Sequence, residues 1–237
     1  LTINVVGDVY AGSLSTNAGS FIIPGTSASS TCTVNITGNI RNAGSVSSYG
    51  VAVSMSGNAS VHVSGYVECG SNTTVGLLFI AGSASTTNQF TIGGGVRPGG
   101  VGLAVSSSTA MTGSTIGAYV DGVAIRPGSS TRAVSVGTGT ADLTINGDVL
   151  GSTANTLIGG AVGITSSTTS LRTVTVNGNL TCENGLATKG SVIYLAGRAF
   201  VKVNGNADFS SWNFVGGSPY APIRLDSVGY ADSGIHI

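Results

Sequence analysis

Charge is what this sequence has least of. Asp, Glu, Lys and Arg together make 8% of its 237 residues, against roughly 25% in an average soluble domain. The nine basic residues are balanced by nine acidic ones and scattered along the chain. No patch that could follow a phosphate backbone is expected, and so no nucleic-acid partner. Five prolines are too few for a proline-rich linker or a collagen helix. No apolar run approaches the ~20 residues of a membrane-spanning helix, so no membrane span is expected. A sustained helical period is missing too, and the abundance of Gly, Ser, Thr and Val disfavours helix by propensity. The two histidines, His62 and His236, stand in no ligand spacing, so neither a metal nor any other cofactor is expected.

What is present is glycine, at 38 residues, and a hydrophobic fraction of 41%, enough to build a core and to argue against disorder. A net charge of zero favours self-association over colloidal repulsion. The chain opens on Leu1-Thr2-Ile3-Asn4-Val5, which already reads as a strand, and the expectation is a mature, processed chain. Asn35, Asn58, Asn72 and Asn179 each begin an Asn-x-Ser/Thr triplet. They are candidate glycosylation sites and agree with an extracellular location at the cell envelope.

One seven-residue pattern recurs: apolar, any, apolar, any, Gly, any, apolar. It runs over Ile3–Val9, Val34–Ile40, Val61–Val67, Phe90–Val96, Leu143–Val149, Val174–Leu180 and Val201–Ala207. Its glycines, Gly7, Gly38, Gly65, Gly94, Gly147, Gly178 and Gly205, are spaced by 31, 27, 29, 53, 31 and 27 residues. The long interval is close to two ordinary ones and predicts a degraded copy near Gly117–Asp121. Between these motifs lie looser strands such as Val51–Met55, Val101–Val105 and Val192–Leu195. Two of them lead to a glycine eight residues ahead of the main one, Gly57 before Gly65 and Gly197 before Gly205. Two strands joined by a tight corner describe a β-arch.

Alternation with a period of two marks one buried and one exposed face, and a fixed repeat of such units is the signature of a solenoid. The expected fold is all-β: a parallel β-solenoid, β-helix or β-arcade, of about eight rungs with repeats of 27–31 residues over positions 1–207. At ~4.8 Å per rung it would make a rod on the order of 40 Å long. Residues 208–237 hold Phe209, Trp212, Phe214, Tyr220 and Tyr230, five of the fourteen aromatics. They are expected to form a cap or a docking segment for a neighbouring subunit.

Stacking makes catalytic hypotheses testable. The residue after the motif glycine should form one outward column: Asp8, Asn39, Tyr66, Gly95, Asp148, Asn179 and Asn206. A glycosidase needs two carboxyl groups within about 5–10 Å, whereas Asp8 and Asp148 would lie about five rungs, ~24 Å, apart. The nearest approach to an acidic cluster is Asp142, Asp148 and Glu183. Parallel β-helix polysaccharide lyases and pectinases carry several acids there; this column carries asparagines, with a second ladder at Asn146, Asn177 and Asn204. Stacked asparagines hydrogen-bond along a column, so Asn146, Asn177, Asn204, Asn179 and Asn206 read as a stacking ladder and no enzymatic activity is expected. Arg97-Pro98-Gly99 recurs as Arg126-Pro127-Gly128, one repeat on. It reads as turn chemistry or as a pair of arginines for an anion.

Cys69 and Cys182 share one motif position and would lie about four rungs, ~19 Å, apart, too far for a disulfide. Cys32 could reach Cys69 only where the start of one rung abuts the end of the next. At least one of Cys32, Cys69 and Cys182 is left over, either for a bond between chains or as a small buried hydrophobe.

With its Val-x-Val-x-Gly-Asn rungs, as in Val174–Asn179, the sequence resembles the β-solenoid passengers of bacterial autotransporter and haemagglutinin-type adhesins. In its scarcity of charge, its glycine pairs Gly57/Gly65 and Gly197/Gly205, and its odd cysteines, it is similar to the β-arch proteins of the tubular sheath of methanogenic archaea. The sheath resemblance implies arches stacked edge to edge between subunits and disulfides between them. The function expected is a self-assembling extracellular structural protein, a sheath, surface layer or fibre, whose partners are copies of itself. The alternatives are an adhesin fragment binding surface glycans and, third, a polysaccharide-active β-helix enzyme.

Overall fold

A computed structural model describes residues 1–11, 19–23, 30–42, 49–55, 58–68, 75–81, 87–97, 101–107, 110–126, 132–137, 141–151, 160–165, 169–182, 191–210, 221–226 and 229–237. Every regular element among them is a β-strand. The strands form three parallel sheets. Sheet A has nine strands, from Thr2–Val6 to Gly234–His236; sheet B has eight, from Val9–Ala11 to Ala207–Asp208; sheet C has eight, from Gly19–Ile23 to Ile223–Asp226. The chain visits A, B and C in turn and then returns to A beside the strand it left, so each circuit is one rung of a parallel β-solenoid.

The seven-residue motif spans the corner from sheet A to sheet B. Its third position stacks as Val5, Ile36, Val63, Ile92, Ile116, Ile145, Val176 and Val203 in register along sheet A. Its seventh stacks as Val9, Ile40, Val67, Val96, Ile125, Val149, Leu180 and Ala207 along sheet B. Both columns point inward, and from Ile36 and Ile40 as far as Val203 and Leu180 their members are buried. Alternate residues of Thr31–Thr37 (Cys32, Val34, Ile36) are buried while their neighbours face outward. This is the period-two pattern expected of a strand with one face on the core. At the inward position of Cys32 the stack also admits Asn88 and Arg172, both buried. Arg172 lies between Ala141 and Ala199 in the register of the adjacent strands.

From Gly38 onward the motif glycines are required by close approach. A Cβ on Gly65 would lie 2.6 Å from the carbonyl oxygen of Gly38, and one on Gly178 would lie 2.6 Å from the backbone nitrogen of Asp148. At this corner backbone stacks directly on backbone, and any side chain would force successive rungs apart.

Three strands per rung replace the two-stranded arch. Sheet B strands are only two to four residues long, too short to show a period of their own, so the sequence motif absorbs them as its last position. Gly197, with φ of +74°, turns the chain from Ile193–Ala196 of sheet C into Ala199–Val203 of sheet A; Gly57 lies outside the described residues. The coil also continues beyond position 207. Ile223–Asp226 pairs with Ile193–Ala196, and Gly234–His236 pairs with Ala199–Val203, so the C-terminal segment contributes a further rung to sheets C and A. Phe209 packs against the core and Tyr230 is exposed; Trp212, Phe214 and Tyr220 lie outside the described residues. The two last rungs are clasped by Arg198, which donates to both carboxylate oxygens of Asp232 at 2.5–3.0 Å and to the Thr169 carbonyl at 3.2 Å.

The degraded repeat is an insertion. Gly117 takes the corner position, its N–H donating to Ile92 O at 2.6 Å, but the chain then makes a loop before Val123–Ile125 enters sheet B. Six residues, 117–122, connect the two strands there, where two or three suffice at every other A-to-B corner. The preceding strand Ala110–Ile116 is bulged, with Gly113 at φ +64°. Its Ser114 is buried and accepts a hydrogen bond from Phe90 N–H at 3.2 Å.

Candidate functional site

The corners from sheet A to sheet B carry two side-chain ladders. In one, Asn204 Nδ2 donates to Asn177 Oδ1 at 2.7 Å, and Asn177 Nδ2 donates to Asn146 Oδ1 at 2.7 Å. In the other, the backbone N–H of one rung donates to the side-chain oxygen of the rung before it. Asn39 N–H donates to Asp8, Tyr66 N–H to Asn39, Asn179 N–H to Asp148 and Asn206 N–H to Asn179, all at 2.7–3.0 Å. These bonds satisfy corner N–H groups that the sheet ladders leave over. The structure thus brings Asn146, Asn177 and Asn204 together, and separately Asn179 and Asn206.

The second ladder is interrupted at Gly95, and there the inserted loop docks. Gly95 has φ of +85°, and a Cβ on it would lie 2.5 Å from the Ala124 carbonyl oxygen and 3.1 Å from the Tyr119 ring, so backbone and ring both close over the glycine. Tyr119 packs on Tyr66 with centroids 5.2 Å apart and donates its hydroxyl to Val67 O at 3.3 Å. Arg97 lies over the Tyr119 ring at 3.9 Å and Arg41 over the Tyr66 ring at 5.1 Å, the cation–π geometry. The result is a surface stack in the order Arg41, Tyr66, Tyr119, Arg97. Acids edge it: Arg41 pairs with Asp8 at 2.9 Å and with Glu68 at 3.4 Å, and Arg97 with Asp121 at 3.8 Å. The Asn39 backbone N–H, aided by the Asn39 side chain and Arg41, holds the Asp8 carboxyl below the ordinary carboxylate value.

Two depressions adjoin this stack. One, of about 230 Å³, is lined by Val96, Arg97, Tyr119, Asp121, Val123 and Arg126. The other, of about 320 Å³, is lined on the opposite side by Tyr66, Glu68, Gly94, Ala118, Val120 and again Arg97 and Tyr119. The arginines scattered in sequence are therefore gathered in space, because Arg41, Glu68 and Arg97 occupy one register position of sheet B. Arg126 follows Ile125, which pairs with Val96, so it stands one rung beyond Arg97. Pro98, Gly99, Pro127 and Gly128 lie outside the described residues.

The sequence motif pointed to Tyr66 and to the Arg97/Arg126 repetition, but not to Tyr119. The only signal for it was the disturbed spacing around Gly117–Asp121, which marks where a loop is inserted but not where that loop docks.

The other candidate residues are placed as follows. Asp142 is exposed, Asp148 serves as a backbone acceptor in the corner ladder, and Glu183 lies outside the described residues. Among the described residues no group of three His, Cys, Asp or Glu could hold a metal ion. Asn35 Nδ2 donates to Asn4 Oδ1 at 2.8 Å, so the nitrogen a glycan would use is engaged in a ladder. Asn179 sits in the second ladder, Asn58 opens the strand Asn58–Val63, and Asn72 lies outside the described residues. Cys32 is a free thiol, 3% exposed on the core face of its strand. In that position it packs as a small hydrophobe of the core. Cys69 and the side chain of Cys182 lie outside the described residues.

No family model, no curated protein and no solved structure matches this chain.

Proposed function

We propose that this chain is a self-assembling structural protein of the extracellular surface, a rod that lengthens by pairing the first rung of one copy with the last rung of another. The observation that carries the reading is the shared strand polarity of the first and last described rungs of the coil. Each of the three sheets finishes at either end in a strand hydrogen-bonded on one side only within the described residues. Because all strands are parallel, the edge at one end has the polarity needed to continue the edge at the other. Translation along the axis is then enough to pair them, as in β-augmentation.

Among the described residues, core positions of the first rung are left uncovered. Ile3 is 39% exposed, whereas Val34, beside it in register, is 1% exposed. Leu1 at the same end, and Leu225 and Ile237 near the other, are exposed as well. A contact between unlike ends does not close on itself and yields filaments, and a surface without net charge does not oppose it. Fibres, sheaths and surface layers are the assemblies such a rod would build, with the side chains of Cys69 and Cys182 as candidates for locking it covalently.

Sedimentation velocity and negative-stain electron microscopy of the full chain, from micromolar to millimolar concentration, test this. Filaments that lengthen with concentration, shortened by Ile3→Lys, are expected. A monomer at every concentration, in wild type as in Ile3→Lys, overturns the reading.

A further inference from the structure

In a chain with nine basic and nine acidic residues, eighteen charged side chains in all, six belong to one surface. These are Asp8, Arg41, Glu68, Arg97, Asp121 and Arg126, and they surround the two tyrosines of the corner stack. The other A-to-B corners turn in two or three residues and are held by amide ladders and close-packed glycines. The loop 117–122 departs from that economy, carries the fully exposed Val120 at its tip, and supplies a wall to both depressions.

The two depressions differ in chemistry. On one side Arg97 and Arg126 stand on consecutive rungs, about 4.8 Å apart along the axis, with Asp121 as the acid that lines the same hollow. Arg97 and Asp121 meet at 3.8 Å with about half of each side chain in solvent. Such a pair is weak, and its guanidinium can turn to a carboxylate or sulfate that presents two oxygens. On the other side of the Arg97–Tyr119 contact the walls are the Tyr66 ring, Ala118 and Val120. Gly94 also lines this depression, and Glu68, about half exposed, stands as a hydrogen-bond acceptor. An apolar wall beside a carboxylate acceptor suits a pyranose ring, which offers an apolar face of C–H groups and a rim of hydroxyl donors. The stack of Arg41, Tyr66, Tyr119 and Arg97 holds both walls in place before any ligand arrives, which limits the ordering cost of binding.

We propose that this face binds an acidic oligosaccharide. A carboxylate-bearing sugar sits in the Arg97/Arg126 depression, and its neighbour lies against Tyr66 and Val120 with hydroxyls donated to Glu68. The site goes beyond the structural role and does not depend on it, since it lies on the flank of the rod and not at its ends.

The test is isothermal titration calorimetry on the full chain, using a galacturonate trisaccharide, a glucose trisaccharide of the cellulose type, and sodium sulfate alone. The acidic trisaccharide is expected to bind at least about tenfold more tightly than either of the others. Arg126→Gln is expected to weaken it about tenfold or more, the scale of one charge-assisted hydrogen bond, and Glu68→Gln is expected to weaken it by less. Lys202→Gln, on the outer face of sheet A, should leave the affinity unchanged, and circular dichroism should report the same β-structure for all three variants. Raising the salt concentration should weaken the acidic ligand selectively. Equal affinity for the acidic and neutral trisaccharides overturns the proposal. So does sulfate binding as tightly as the trisaccharide, or wild-type affinity in Arg126→Gln.

Discussion

Asn177 and Asn204, 27 residues apart in sequence, meet through a 2.7 Å amide–amide hydrogen bond on consecutive rungs. Asn177 makes a second such bond, donating to Asn146, so it is the middle of a three-residue ladder. Asn177→Ala removes both bonds, and Asn204→Ala removes one. All three side chains are exposed, where water replaces much of what is lost. We expect a cost of about 0.5–1.5 kcal/mol per bond as an upper range. Urea unfolding of the two variants should place Asn177→Ala below Asn204→Ala in midpoint with an unchanged slope.

Two glycines make a controlled comparison. A Cβ on Gly178 would collide with the backbone of Gly147 and Asp148, while a Cβ on Gly229 would meet nothing within 4 Å. Gly178→Ala is expected to destabilise by about 1–3 kcal/mol, the usual cost of overpacking, and Gly229→Ala to stay within about 0.5 kcal/mol of wild type. Equal melting temperatures for the two variants would count against backbone-on-backbone stacking at the corner.

Acid should loosen the coil at its ends. The Arg198 side chain holds the Asp232 carboxyl below its ordinary value, Arg224 and Tyr194 do the same for Asp226, and Asn39 does so for Asp8. A carboxyl whose pKa is lower folded than unfolded contributes stability in full above its unfolded value, near 3.9, and loses it as pH falls through the folded value. Melting temperature should therefore be flat from pH 7 to about pH 5 and fall below about pH 4. Asp232→Asn should melt lower at pH 7 and show a shallower fall, which differential scanning calorimetry across that range would resolve.

Cys32 offers a readout of core integrity. Its thiol is buried among core residues of the Thr31–Thr37 and Asn58–Val63 strands. Alkylation by iodoacetamide followed by peptide mass spectrometry should leave Cys32 unmodified in native protein and modify it fully in denaturant. Rapid native labelling of Cys32 would contradict its placement on the core face.

Much of the fold was legible in one dimension. Strict alternation in stretches such as Thr31–Thr37 dictates a strand with one buried face, and the recurrence of a glycine every 27–31 residues dictates the rung, because only glycine tolerates backbone stacked on backbone at the corner. The ladder of Asn146, Asn177 and Asn204 followed from the same register. Tertiary structure alone decided that a rung has three strands and not two, since strands as short as Val96–Arg97 are below the length at which a period of two can be recognised. It alone decided where the insertion at 117–122 goes. Tyr119 finds its place against Gly95, 24 residues earlier, and on the ring of Tyr66 two rungs away, and no local pattern encodes contacts between a loop and distant rungs. Arg41, Arg97 and Arg126 read as isolated charges along the chain. They become neighbours because the coil returns each to the same face of sheet B, and that proximity, which the repeat permits but does not announce, is what makes a binding surface there.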